Sequence, residues 1–125
     1  MKSVASLIDA LEAQMQKVAE LPGVDAVHDL RVSVRRAAEG LRIFTPEARK
    51  LRNEIRAIRE HAANVRDRDV TRQLLRRHRL PATDPACVYL QGQRDLAASQ
   101  LRQFLALQLG DDRPARWRRW IGEDA

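Results

Sequence analysis

The chain has 125 residues and sets 23 Lys and Arg against 17 Asp and Glu, a formal charge of +6; one domain, residues 1–125, with one modest core is what that length supports. Aromatic residues make up 4% of the chain and there is one cysteine, so the core must be aliphatic and an internal disulfide is excluded. No apolar run approaches the roughly 20 residues of a membrane span.

The opening Met1–Lys2–Ser3–Val4 lacks the apolar segment of a secretory signal, and the lone Cys87 fits a reducing cytoplasm. Charge is unevenly placed. Residues 1–27 hold two cations and four acids, residues 28–79 hold 15 cations and seven acids, and residues 80–125 hold six of each. The middle segment therefore carries the whole imbalance and points to an anionic partner. Of the 23 cations, 20 are Arg, whose planar fork grips phosphate oxygens in pairs.

Taken in order, the elements read as helices throughout, with no period-two strand of useful length. A first helix is expected over Ser3–Leu21, with Val4, Leu7, Leu11, Met15 and Val18 inward and Pro22–Gly23 as its stop. A second is expected over Asp25–Phe44. Thr45 then caps a third, with Pro46 in its first position. Run without interruption to Arg79, that third helix would reach about 50 Å. Its predecessor would reach only about 30 Å. The mismatch predicts a break or kink near Asn64–Asp67, with Asp67 capping a further piece that turns Val70, Leu74 and Leu75 inward. The stretch Pro81–Pro85 reads as a linker. A fourth helix follows over Pro85–Leu109, with Leu90, Ala97, Leu101, Phe104 and Leu105 inward. A short last helix, Pro114–Ile121, carries Trp117 and Trp120. The expected architecture is an all-α antiparallel bundle of four helices plus the short C-terminal one.

Two of these helices share a pattern. In the second, Val27, Leu30, Val34, Ala37, Leu41 and Phe44 form a seam, and His28, Arg31, Arg35 and Arg42 follow one position behind. In the third, Leu51, Ile55, Ile58, Ala62 and Val65 form the seam, and Arg52, Arg56, Arg59 and Arg66 follow it. One position is a turn of about 100°, so each cationic row lies on the shoulder of a buried face. Facing antiparallel helices bring those shoulders to one side of the pair. The two rows would then join into a continuous basic strip. The alternative is a solvated face, in which Glu39 pairs with Arg35, Arg36 or Arg42 and Glu60 with Arg56, contacts of little energetic weight.

The segment His28–Asp29–Leu30–Arg31–Val32–Ser33–Val34–Arg35–Arg36, followed by Leu41–Arg42–Ile43–Phe44, resembles the signature of the CHAD family, the conserved-histidine α-helical domain. Val65–Arg66–Asp67–Arg68–Asp69–Val70 resembles the family's second block. The resemblance implies a helical domain whose basic surface binds inorganic polyphosphate. It carries over His28, Arg31, Arg35, Arg36 and Arg42 from the first block and Arg66 from the second. Arg36 is turned about 100° from Arg35. Arg52, Arg56 and Arg59 are added on the phase of the two rows. Asp67 and Asp69 are expected to cap the helix and orient Arg66. Ala38 stands where the family commonly has Arg, leaving a gap in the row. Members typically hold two related bundles around a basic groove, and this chain resembles the first. Two copies could therefore associate as a homodimer, with Trp117 and Trp120 either at that interface or packed across the bundle end.

No metal-ligand spacing, Gly-rich phosphate loop or nucleophile arrangement is visible. The expectation is a binding protein rather than an enzyme, without metal or other cofactor. Its partner would be polyphosphate or another polyanion and not a membrane, in the cytoplasm or at polyphosphate granules. The rival reading is an RNA-binding basic bundle. His61 and His78 read as helix-surface residues and Cys87 as a small apolar filler.

Overall fold

The structure, a computed structural model, describes residues 3–43 and 47–122. Five α-helices follow one another: α1 (Val4–Glu20), α2 (Val24–Gly40), α3 (Glu47–Arg77), α4 (Pro85–Gly110) and α5 (Arg113–Trp120). A short 3-10 turn, Leu41–Ile43, follows α2. No strand occurs among the described residues. The expected cap at Thr45, the start at Pro46 and the place of Phe44 lie outside them.

Local chemistry sets the boundaries. Ser3 caps α1, its hydroxyl accepting from the Ser6 N–H at 3.1 Å, so an orphan amide of the first turn is satisfied. Asp84 does the same for α4 through the Ala86 N–H at 2.9 Å, with Pro85 in the first turn. The end of α3 is a Schellman turn. The Leu80 N–H donates to Leu75 and the Arg79 N–H to Arg76. Arg79 takes the left-handed position at φ 59°, where glycine would carry no Cβ penalty.

The four long helices pack as a ring, each against its neighbours in sequence and α4 back against α1. Their seams meet in one aliphatic core, to which Ile8, Leu11, Met15, Leu30, Ile58, Leu101 and Leu105 contribute fully buried side chains. Ile8, which the sequence reading omitted, is among them. Each fully buried Leu or Ile contributes about 1.5–3 kcal/mol relative to exposure. At the α1–α2 end of this ring, Gly40 allows close approach: a Cβ there would lie 2.7 Å from Leu7 Cδ1.

The helix α5 closes the end formed by the start of α1, the start of α3 and the finish of α4. Trp117 is fully buried there and Trp120 packs against the core. Arg118 fastens the lid to α1, donating to Asp9 at 2.8 Å and to Glu12. The hydrogen bond to Glu12 raises the Arg118 pKa above its ordinary value, against the opposing effect of burial and with further support from Asp9. Thus Trp117 packs across the bundle end, the second of the two placements expected for it, and not at a subunit interface.

The expected break in the third helix is also corrected. α3 runs unbroken for 31 residues through Asn64–Asp67. Its cover comes from α4 and not from α2 alone; at 26 residues α4 extends about 39 Å. At the level where α1 and α2 end, Arg94 of α4 donates from Nε to Asp69 at 3.0 Å and from its terminal nitrogen to the Pro22 carbonyl at 2.6 Å. One guanidinium thereby ties the α1–α2 turn to both long helices. Beyond this clamp α3 and α4 continue as a bare pair. Val70 and Leu74, expected inward, are 47% and 50% exposed, because in the unbroken helix the inward stripe runs through Val65, Asp69 and Arg72.

Candidate polyanion-binding surface

The basic rows sit on α2, the following turn and α3, which pack side by side. Arg42, Arg52, Arg56 and Arg59 line one shared hollow of about 170 Å³ between them. Its floor is Val34 and Ile55, the seam residues, together with Ala38. The gap at Ala38 therefore has a structural consequence: the missing side chain leaves open the space that the four arginines border. Arg31, Arg35, Ala38 and Arg42 step by four, three and four residues. They form one stripe, and its C-terminal half borders the hollow.

His28, Arg31 and Arg35 lie exposed on α2, further along that stripe. Arg36 is exposed too and does not border the hollow. Arg66 is half-buried on α3, seven residues past Arg59 and outside the hollow. The antiparallel course of α2 and α3 sets His28 level with the Arg66 end and Arg42 level with the Arg52 end.

Acids do not compensate these cations. Among the described residues, none of the nine (His28, Arg31, Arg35, Arg36, Arg42, Arg52, Arg56, Arg59 and Arg66) lies within 4 Å of a carboxylate oxygen. The pairs expected for a solvated face, Glu39 with Arg35, Arg36 or Arg42 and Glu60 with Arg56, do not form. Ion pairs occur elsewhere. Arg72 and Arg94 meet Asp69, Arg113 meets Glu54 and Asp111, and Arg118 meets Asp9 and Glu12. Acids are spent on fastening the lid and clamping the helix pair, and the α2–α3 flank keeps its charge.

Two role assignments change. Asp69 is 2% exposed and holds Arg94, with Arg72 at 3.5 Å, rather than Arg66. Asp67 is exposed inside α3, where its backbone carbonyl accepts from the Thr71 hydroxyl at 3.0 Å. His61 is likewise not a plain surface residue. Its ring stacks on Phe104 at 4.2 Å between centroids, and its Nδ1 lies 2.9 Å from the Ala57 carbonyl.

Fold and surface together give an all-α helical bundle with a row of cations on its α2–α3 flank that, among the described residues, pair with no acid. The family model for the CHAD domain matches residues 2–125, and the chain belongs to that family. No curated protein and no solved structure gives a significant match.

Proposed function

We propose that the chain binds inorganic polyphosphate through the α2–α3 flank and does so without catalysis. The observation that carries this reading is that Arg42, Arg52, Arg56 and Arg59 border one hollow with, among the described residues, no acid within ion-pair distance. The CHAD domain is associated with polyphosphate binding, which supports the same partner. A flexible phosphate chain laid along the flank replaces scattered counterions with guanidinium groups, each donating paired hydrogen bonds. Release of the polymer's own condensed ions drives the association.

RNA is the weaker partner for this surface. Single strands are held largely by stacking on aromatic side chains. Among the described residues, no aromatic ring borders the hollow. Trp117 is in the core, Phe104 is stacked on His61, and Tyr89 is exposed near the start of α4.

Titration with long-chain polyphosphate at several salt concentrations tests the reading. With about five phosphates neutralised, the logarithm of affinity falls against the logarithm of salt with a slope of about −3.5, taking the single-strand coefficient. A flat salt response, or displacement of polyphosphate by RNA at equal phosphate concentration, overturns the assignment. Release of phosphate in the presence of Mg²⁺ would overturn the non-catalytic part. Two copies facing one polymer would rebuild a two-bundle groove. Light scattering on the same samples would then give two chains per polymer segment.

A further inference from the structure

Past the Asp69 clamp, α3, α4 and the linker between them flank an open cleft of about 460 Å³ that the polyphosphate reading leaves unused. Small-molecule sites commonly run to about 300–1,000 Å³. The cavity lies on the continuation of the core seam. On α3 the stripe Val65, Asp69, Arg72, Arg76 carries on at helical spacing, and on α4 the stripe Leu101, Ala98, Arg94, Gln91, Cys87 does so. A seam built to receive another helix would stay apolar; this one turns polar where α1 and α2 stop.

We propose that this cavity binds a nucleoside monophosphate. Its walls are of opposite character. Arg72 and Arg76 stand on the α3 side, Gln91 and Asp95 on the α4 side, and Leu80, Ala82 and Val88 give the apolar part. Arg76 is exposed and lies within 4 Å of no acid among the described residues. Arg72 is 3.5 Å from Asp69, whose carboxylate is held closer by Arg94 at 3.0 Å. Both forks can therefore take a phosphate. Asp95 repels an anion from the α4 side and accepts from the Gln91 amide at 2.8 Å through one oxygen. Its second oxygen suits a ribose hydroxyl, as carboxylates do in dinucleotide sites. The sugar and base would then lie over Leu80 and Val88. A bare inorganic polyanion fits poorly, because half of the lining is apolar and Asp95 opposes it.

Gly92 supplies an independent argument. It sits inside α4 and borders the cavity, although glycine is among the residues least suited to a helix interior. Gly40 is explained by the approach of Leu7, but a Cβ at Gly92 would meet nothing within 4 Å, and its φ is not positive. Neither close packing nor backbone conformation calls for glycine there. Its missing side chain leaves the cavity wall open to a ligand.

Calorimetric titration of the full chain with adenosine 5′-monophosphate tests the assignment, using wild type, Arg76→Gln and Gly92→Leu. Saturable 1:1 binding is expected, weakened about tenfold by Arg76→Gln, the effect of one lost charge-assisted contact. It should be abolished by Gly92→Leu, whose Cβ meets nothing within 4 Å and whose longer side chain would occupy the ligand's space. Circular dichroism should show both variants as helical as wild type, and their affinity for long-chain polyphosphate should be unchanged. Absence of saturable binding to wild type overturns the proposal. So does retained binding in Gly92→Leu, which would put the nucleotide elsewhere, or equal affinity for inorganic phosphate, which would leave the nucleoside without a role.

Discussion

Reversing Arg56 and Arg59 together to Glu will lower the affinity for long-chain polyphosphate by roughly 100- to 10,000-fold at low salt. Each guanidinium that donates to phosphate contributes about 1.5–3 kcal/mol as a charge-assisted hydrogen bond, and each 1.4 kcal/mol corresponds to about tenfold. The reversal also adds repulsion against the neighbouring phosphates. Both side chains are exposed and unpaired among the described residues, so the fold should be unharmed. The informative comparison is Arg116→Glu/Arg119→Glu, which changes the net charge equally but acts on α5. Filter binding or calorimetry should show only a few-fold loss for that pair. Equal losses in the two variants would mean that total charge, and not the arrangement on α2 and α3, governs binding.

Asp69→Ala is expected to be the most destabilising single change, at about 3 kcal/mol by urea denaturation. Removing one partner of a buried pair strands the other, at a cost of about 3–5 kcal/mol. The lower figure applies because the Arg94 side chain keeps 12% exposure and its bond to the Pro22 carbonyl. The loss also frees the α1–α2 turn from the long helices. Asp69→Leu/Arg94→Leu should recover much of that stability, since apolar replacement of a buried pair is often neutral. If Asp69→Ala melts within a degree of wild type, the clamp has no energetic role.

The seams were legible because their period is strict. Leu11, Met15, Val18, Val27, Leu30, Val34, Leu51, Ile55, Ile58, Ala62 and Val65 are buried as the spacing requires. The caps at Ser3 and Asp84 were legible because their chemistry is local. What failed depends on pairing between distant segments. The span of α3 was judged against α2, and nothing along the chain reveals that α4 accompanies it. Arg94 and Asp69 are 25 positions apart, so a charged residue in an otherwise polar stretch gave no sign of burial. The bordering of one hollow by Arg42, Arg52, Arg56 and Arg59 followed from phase alone. The role of Ala38 did not, because a gap in a row looks like a defect until its opposite wall is in place.

A flank of like charges that, among the described residues, pair with no acid strains the protein that carries it. Mutual repulsion among neighbouring guanidinium groups favours any expanded state that separates them, and whatever anion settles there relieves it. The chain should therefore melt higher in sulfate than in chloride at matched ionic strength, and higher still with polymer bound. With polyphosphate bound there as proposed, resistance to unfolding and to proteases would track the supply of condensed phosphate, and the polymer's abundance would help set how long the protein lasts.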